Sequence, residues 1–162
     1  MPSENIHPVT SRLIPKTEKE KKLGAKGKVF WLCGLSGSGK STLAISLERG
    51  LMENGISSIV LDGDNLRATI NKDLGFSDED REENLRRVSE LAKLIIENGL
   101  VAIVSFITPQ EKFRTQAREI IGTKNYFEVF VDAPFDTCAK RDVKGLYKKA
   151  SNDGIASFTG HQ

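Results

Sequence analysis

One short segment of this sequence carries residue types whose spacing predicts a definite chemistry. Residues 34–41 read Gly-Leu-Ser-Gly-Ser-Gly-Lys-Ser and match the phosphate-binding pattern Gly-x-x-x-x-Gly-Lys-Ser/Thr. Glycines let a backbone curl so that successive N–H groups point at phosphate oxygens, and the positive end of a following helix adds to the attraction. We therefore expect a nucleoside triphosphate to bind at Gly34, Leu35, Ser36, Gly37, Ser38, Gly39, Lys40, Ser41 and Thr42.

The two charged or hydroxyl positions at the end of this motif have distinct expected roles. Lys40 can reach the β- and γ-phosphates as a mobile point charge, and the Ser41 hydroxyl is the usual ligand of the accompanying Mg²⁺. Thr42 also suits a capping or packing role. A chance glycine-rich turn is the alternative. The apolar run at 29–33, which predicts a strand, and the helical spacing of apolar residues at 41–54 argue against it.

Composition limits the classes of protein to which this chain can belong. Its 162 residues are 38% apolar and 28% charged, which fits one globular domain with a proper core. A net charge of +2 gives no overall field for nucleic acid or membrane, and no run approaches the ~18 apolar residues of a membrane span. The N-terminus lacks the regions of a secretion signal, so we expect a cytoplasmic location and no nucleic-acid or membrane partner. Cys33 and Cys138 lack metal or redox spacing and are expected to be buried thiols.

The order of sequence patterns predicts an α/β fold. Residues 1–27 are polar and broken by prolines, so we expect an N-terminal arm or a short solvated helix, and a domain from residue 28 to residue 162. Strands at 29–33, 57–61, 100–106 and 126–131 alternate with helices at 41–54, 78–98, 110–121 and 134–141, with a loop after the second strand. This alternation predicts a three-layer α/β/α sandwich with a mainly parallel sheet, which binds ligands beyond the carboxyl ends of its strands.

Polar residues follow the second strand at that expected binding edge. Asp62 and Asp64 are placed so that one carboxylate can order Mg²⁺ through water while the other accepts a proton from an attacking hydroxyl. The alternative is that they start a turn or cap the next helix, which Asp also favours. The sequence leaves both interpretations open.

A group of basic residues follows on the next segments. Arg67 faces the same edge, and Arg81 and Asn84 share one face of the helix predicted from Asp78. Guanidinium forks match planar pairs of oxyanion oxygens, so these residues suit a substrate bearing phosphate or sulfate. The alternative is a solvated helix face on which arginines pair with glutamates, and we expect it to account for Arg86.

The basic stretch at 141–149 lies where a closing lid would exclude water from phosphoryl transfer, and we expect such a lid at about 142–160. A surface loop with solubilising lysines is the alternative. Phe158 could stack on a purine base or fill a gap in the core.

Together these motifs closely resemble the adenylylsulfate kinase (APS kinase) family, from the His7-Pro8-Val9 segment to Gly160. That family has a P-loop kinase fold and transfers the γ-phosphate of ATP to the 3′-hydroxyl of adenosine 5′-phosphosulfate (APS), which gives PAPS, the activated sulfate donor. The segments that carry the resemblance are Gly-Leu-Ser-Gly-Ser-Gly-Lys-Ser-Thr at 34–42, Leu-Asp-Gly-Asp-Asn-Leu-Arg at 61–67, Asp-Leu-Gly-Phe-Ser at 73–77, Asp-Arg-Glu-Glu-Asn-Leu-Arg-Arg at 80–87, Ser-Phe-Ile-Thr-Pro at 105–109, Glu-Val-Phe-Val-Asp at 128–132, Lys-Gly-Leu-Tyr-Lys-Lys-Ala at 144–150 and Phe-Thr-Gly at 158–160.

The resemblance implies a role for each matching residue. Arg67, Arg81 and Asn84 would hold the phosphosulfate and ribose side of APS, and Phe76 and Phe158 would sandwich its adenine. The implied substrate-binding set is completed by Ile107 and by Lys144, which would close with the lid. The implied catalytic residues are Lys40, Asp62, Asp64 and Thr108, and the implied Mg²⁺ ligands are Ser41 and Asp62.

Two departures from the family pattern bear on these roles. Thr108 stands where the family has a serine described as phosphorylatable, and direct transfer to APS needs no such intermediate. Family members continue past Phe-Thr-Gly, so we expect a C-terminus that is truncated after Gln162. ATP and APS are the expected partners, while a homodimer and a functional link to ATP sulfurylase stay open. The alternative functions are another P-loop kinase for small metabolites and a nucleotide-binding module without transfer activity.

Overall fold

Strands and helices alternate along most of the chain. The computed structural model describes residues 6–142 and 145–148. The elements in chain order are a 3₁₀ turn at Thr10–Arg12, α1 (Lys16–Leu23), β1 (Val29–Cys33), α2 (Lys40–Glu53), β2 (Ser58–Asp62), α3 (Gly63–Ala68), α4 (Asp78–Glu97), β3 (Val101–Ser105), α5 (Glu111–Ile121), a 3₁₀ turn at Thr123–Asn125, β4 (Tyr126–Phe130) and α6 (Phe135–Arg141).

The strands form one sheet with the order β2-β3-β1-β4, and each neighbouring pair is parallel. All the carboxyl ends therefore lie at one edge, where the register pairs Asp62 of β2 with Ser105 of β3. The predicted parallel sheet is confirmed. It brings the ends of β1, β2 and β3 together although they are distant in sequence.

Helices cover both faces of the sheet, which confirms the three-layer architecture. Trp31 is fully buried on one face, below α4 and α5, and its ring lies 5.8 Å from that of Tyr126. The neighbouring residue Leu32 points to the other face, where it packs with Ala44 of α2 and Ile103. This alternation follows from the two-residue period of a strand. Cys33 and Cys138 are buried free thiols, as predicted.

The segment after β2 is a helix, and the prediction of a loop there was wrong. α3 spans only Gly63–Ala68, too short for a hydrophobic period to be visible in the sequence. Its first turn forms because the Asp62 side chain accepts a hydrogen bond from the backbone N–H of Asp64 at 3.1 Å. The capping interpretation of Asp62 is thus confirmed, and the helix places Arg67 one turn beyond the sheet edge.

The N-terminal segment contains a helix that lies outside the core. α1 has no buried residue, in agreement with a short solvated helix. Polar contacts hold it to the domain: Lys19 Nζ donates to Asn98 Oδ1 at 2.8 Å, and the Gly27 N–H donates to Glu20 Oε1 at 2.9 Å. Within the described residues, no helix combines the length and apolar character that crossing a membrane requires.

Candidate active site

The loop after β1 is held against the ends of the two neighbouring strands. The N–H of Gly34 donates to the Ile107 carbonyl, which follows β3, at 3.2 Å. Gly34 has φ of +146°, and a Cβ at this position would lie 2.7 Å from the Val131 carbonyl oxygen, which follows β4. Only glycine combines this backbone conformation with so close an approach. The loop therefore begins at a point fixed by three strand ends.

The ammonium group of Lys40 lies inside the curve of this loop. Its Nζ donates to the carbonyl oxygens of Gly34 at 2.9 Å and Leu35 at 2.6 Å, and the residue is only 8% exposed. These carbonyls hold a positive charge at the place where the motif predicts the phosphates of a nucleotide. The Ser38 hydroxyl, also buried in the loop, has no hydrogen-bond partner among the described residues.

Three side-chain oxygens meet where β2 and β3 end. The Ser41 hydroxyl donates to Asp62 Oδ2 at 2.9 Å and lies 3.4 Å from Ser105 Oγ. Asp62 uses its other oxygen to cap α3, so its carboxylate is fixed from two sides. Hydroxyl and carboxylate oxygens are the donors that Mg²⁺ prefers. Among the described residues there is no group of three or more His, Cys, Asp or Glu side chains that could hold a metal, so a cation here would depend on the single Asp62 carboxylate together with hydroxyls and bound phosphate.

Arg67, Phe76 and Arg81 form a second group of side chains beyond α3. The guanidinium of Arg67 lies 4.5 Å from the ring centroid of Phe76 and donates to the Gly75 carbonyl at 2.7 Å. Arg81 Nε donates to the Phe76 carbonyl at 2.9 Å. Burial, with the nearby positive charge of Arg81, lowers the pKa of Arg67 from its usual value. One guanidinium thus lies over the Phe76 ring and a second contacts the Phe76 backbone, and this residue is 71% exposed.

The loop that carries Phe76 is tied to the start of α4. Ser77 caps this helix by accepting from the Asp80 N–H at 3.1 Å, and Asp80 Oδ2 accepts from the Gly75 N–H at 3.0 Å. Asn84, one turn further along α4, is 4% exposed, and its Oδ1 accepts from Asn71 Nδ2 at 2.8 Å. The backbone around the Arg67 group is therefore fixed by side-chain contacts.

Arg86 and Arg87 lie in a different network on α4. Arg86 Nε and Arg87 Nε donate to the two carboxylate oxygens of Glu83 at 2.7 and 2.8 Å, and Arg87 also pairs with Asp73. Hydrogen bonds from Arg86 and then Arg87 lower the pKa of Glu83 to about 2. The solvated-face interpretation of Arg86 is confirmed.

The match to known proteins agrees with this arrangement of phosphate loop and paired arginines. A family model described as adenylylsulphate kinase matches residues 26–162. The chain belongs to the adenylylsulphate kinase family.

Individual members of the family are similar to this chain over most of its length. A protein from Phocaeicola vulgatus named adenylyl-sulfate kinase is 49% identical over 99% of this chain and 78% of its own length. One from Clostridium acetobutylicum with the same name is 52% identical over 91% of this chain and 73% of its own. The solved structure of the Mycobacterium tuberculosis APS kinase CysC in complex with AMPPNP and APS aligns with a TM-score of 0.80, at 50% identity, over 84% of this chain and 80% of that one.

Ile107 and Thr108, two site residues implied by the adenylylsulphate kinase pattern, contact the domain rather than open solvent. Ile107 contributes its carbonyl to Gly34. The Thr108 hydroxyl accepts from Trp31 Nε1 at 3.0 Å, and the residue is 3% exposed with φ of +40°. The structure thus gives Thr108 a contact inside the domain, and its catalytic role stays a prediction.

Sequence reasoning missed three contacts at the phosphate loop of this adenylylsulphate kinase family member. Arg141 Nη1 donates to the Gly37 carbonyl at 3.0 Å, and the Tyr147 hydroxyl donates to the Ser36 carbonyl at 2.7 Å. Ser105, at the end of β3, lies next to Ser41. The position of Ser105 at a strand end was a usable signal. For Arg141 and Tyr147 the only signal was the basic stretch predicted as a lid.

Some of the remaining predicted site residues lie at the helices that follow the phosphate loop and β2, and others lie outside the described residues. Thr42 and Asp64 are exposed in the first turns of α2 and α3. Lys144, Phe158 and most of the predicted lid lie outside the described residues.

Proposed function

We propose that this chain is an adenylyl-sulfate kinase that transfers the γ-phosphoryl group of ATP to the 3′-hydroxyl of APS, with ADP and PAPS as products. The observation that carries the proposal is the pairing of a phosphate loop with the Arg67, Phe76 and Arg81 group beyond the same sheet edge. The similarity to an APS kinase solved with AMPPNP and APS supports both substrates.

The loop at 34–42 is the proposed binding site for the phosphates of ATP. Lys40 lies inside the curve of the loop on the Gly34 and Leu35 carbonyls, and its long side chain would exchange these neutral acceptors for anionic phosphate oxygens. An ammonium bonds more strongly to an anion than to a neutral carbonyl, which favours the exchange. In-line phosphoryl transfer depends mainly on such positioning and charge neutralisation.

The oxygen cluster at the ends of β2 and β3 fits a magnesium ion. Ser41 and Asp62 are the proposed ligands, the latter directly or through water, and Ser105 lies close enough to support Ser41. When bound, Mg²⁺ supplies neutralisation of the β- and γ-phosphate charge. The second contact of Asp62, to the Asp64 N–H, keeps its carboxylate oriented toward this cluster.

The arginine group is the proposed binding site for APS. Arg67 and Arg81 would hold the phosphosulfate, and Phe76 presents an aromatic ring for stacking on adenine, with Phe158 on the other side of the base. Asn84 would contribute an amide to the same anionic moiety. Ile107 and Lys144 complete the proposed substrate contacts.

The reaction forms a bond between the 3′-oxygen of APS and the γ-phosphorus and breaks the bond between that phosphorus and the β–γ bridging oxygen. The hydroxyl proton passes to a carboxylate at the sheet edge, Asp62 or Asp64. Little proton transfer is required before the transition state, because phosphoryl transfer is largely dissociative. A homodimer, a link to ATP sulfurylase and a cytoplasmic location stay predictions.

The test follows radiolabelled γ-phosphate from Mg-ATP into PAPS with the purified chain and APS. Lys40→Ala should lower turnover by roughly 100-fold or more, because it removes the charge that meets the transferring group. Lys93→Ala, which changes an exposed lysine of α4, is the matched control and should leave turnover unchanged.

Two outcomes would replace the proposal. Transfer of label to another alcohol, with none to APS, would make the chain a kinase for a different small metabolite. Binding of ATP and APS without turnover would make it a nucleotide-binding module.

A further inference from the structure

Asn71 is a fully buried polar residue that the proposed reaction does not use. It lies between α3 and α4 and is 0% exposed. Its backbone is held on both sides, because its N–H donates to the Leu66 carbonyl at 2.8 Å and its carbonyl accepts from the Leu74 N–H at 3.1 Å. The side chain therefore has one well-defined position.

The Asn71 side chain occupies surroundings that favour an apolar residue. A cavity of about 70 Å³ beside it is lined mainly by apolar residues, Leu66, Ile70, Val88 and Leu91, together with Arg87. Its Oδ1 is buried without a hydrogen-bond partner among the described residues. An unpaired buried acceptor is destabilising, so stability alone does not explain an asparagine here.

Within the part of the chain that the structure describes, the side chain of Asn71 makes one hydrogen bond, and that bond is to Asn84, a proposed substrate-binding residue. Its Nδ2 donates to Asn84 Oδ1 at 2.8 Å. A primary amide carries its acceptor and its two donors on opposite sides, so a fixed oxygen also fixes the direction of the NH₂ group. Without the bond, the Asn84 amide could rotate by 180° and present its oxygen instead.

The direction of the Asn84 amide decides whether it attracts or repels an anion. Asn84 is three residues from Arg81 on α4, so the two side chains leave the helix on the same side. An NH₂ group there can add a donor to those of the arginines, whereas a carbonyl oxygen would face an anionic ligand with a like partial charge.

We infer that Asn71 is a positioning residue for APS: by holding Asn84 Oδ1 it makes the Asn84 NH₂ group the one that faces the anionic part of the substrate. The inference rests on the proposed function and adds to it a residue that does not touch the substrate. Asn71 therefore acts on substrate affinity through Asn84, and ATP binding at the phosphate loop does not depend on it.

The test measures KM for APS, KM for ATP, kcat and thermal unfolding for Asn71→Leu, Asn84→Ala and the double variant. Leucine removes the donor and fills similar space. We expect Asn71→Leu to raise KM for APS roughly tenfold, as for one lost hydrogen bond to a charged group, with KM for ATP unchanged. In the Asn84→Ala background the same substitution should have no further effect on KM for APS, because its target is gone.

Asn54→Leu provides the matched control. It also removes an asparagine side-chain hydrogen bond, that of Asn54 Nδ2 with the Gly50 carbonyl at 2.8 Å, but at an exposed position at the end of α2. Its KM for APS should equal that of the wild type. Should Asn71→Leu fold poorly, Asn71→Asp keeps the shape of the side chain and enters the same cycle.

The inference is overturned if a folded Asn71 variant has the wild-type KM for APS, or if its effect is equally large in the Asn84→Ala background, which would indicate a general loss of packing. Failure of the proposed function would look different from either of these results. If the proposed function is wrong, the wild-type chain itself does not phosphorylate APS, and both proposals are then refuted together.

Discussion

Replacement of Thr108 by valine separates a structural from a chemical role for this hydroxyl. Valine has the same shape and β-branching as threonine, so the substitution removes the oxygen and little else. The Thr108 hydroxyl accepts a hydrogen bond from the indole N–H of Trp31, a residue that is fully buried below α4 and α5. We expect the variant to lose stability and to retain phosphoryl transfer.

The size of the stability loss follows from burial on both sides of this bond. Thr108→Val leaves the Trp31 N–H unpaired where water does not reach, which costs about 1–3 kcal/mol. The loss should be smaller in a Trp31→Phe background, because phenylalanine has no N–H to leave unpaired. The difference between the two values is the coupling energy of the pair, expected to be about 1 kcal/mol.

The backbone of Thr108 supports the same conclusion. Its φ of +40° is uncommon for a β-branched residue, and the conformation is held by Arg114, whose Nη1 donates to the Thr108 and Pro109 carbonyls at 3.1 and 3.0 Å. The neighbouring Ile107 carbonyl holds Gly34 at the start of the phosphate loop. Loosening of this turn should therefore raise KM for ATP by a small factor and leave a measurable kcat.

Urea unfolding of the four proteins of the cycle gives the free energies, and transfer of label from ATP to APS gives the activity. Mass spectrometry of the wild type after incubation with ATP alone tests for a phosphate on Thr108. The reasoning is refuted if Thr108→Val keeps wild-type stability but loses turnover, or if phosphothreonine forms and its phosphate moves to APS on addition of the acceptor.

Two further predictions concern the loop and the acidic network. Gly34→Ala should destabilise the fold by about 1–3 kcal/mol and abolish tight ATP binding, because residue 34 has φ of +146° and its new Cβ would lie 2.7 Å from a backbone oxygen. The control is Gly50→Ala, at an open position in a helix, which should leave stability unchanged or raise it. Calorimetry measures the stability of both variants. The pKa of Glu83 is lowered from 4.5 to about 2 by Arg86 and Arg87, so its contribution to stability is present above pH 4.5 and is lost as the pH falls toward 2. Between pH 4.5 and pH 2, the free energy of unfolding of an Arg86→Met, Arg87→Met double variant should fall less than that of the wild type. An equal fall in acid-dependent unfolding would contradict the assignment of the lowered pKa of Glu83 to these arginines.

The features that sequence predicted correctly are those set by local patterns. Mainly apolar segments of five to seven residues predicted the four strands found in the described residues, and the glycines of the 34–41 motif predicted the loop, because both depend on residues adjacent in the chain. α3 was missed since its six residues show no helical period and its start depends on one capping bond from Asp62. Sheet order was not predictable from the alternation alone, which fixes the fold class but not which strands are neighbours.

The phosphate half of the site was predictable through a rule about sheets. The carboxyl ends of parallel strands share an edge, so Asp62 was expected near the phosphate loop, and the structure places it 2.9 Å from Ser41. The inward position of Lys40 was less accessible to sequence reasoning. It depends on the backbone conformation of the loop, which directs the carbonyls of Gly34 and Leu35 inward.

The substrate half depends on contacts that no residue pattern records. Arg67 and Arg81 are fixed by the carbonyl oxygens of Gly75 and Phe76, and any residue can supply a carbonyl. The same segment is held by Asp80 on the Gly75 N–H, so one loop of backbone orients two guanidinium groups at once. These bonds depend on the path of the backbone rather than on the identity of side chains. A sequence therefore indicates which cationic residues could bind an anion, but it does not indicate the geometry in which they bind it. It follows that changes in loop path at 73–77, even those that keep every charged residue, should alter affinity for APS more than affinity for ATP.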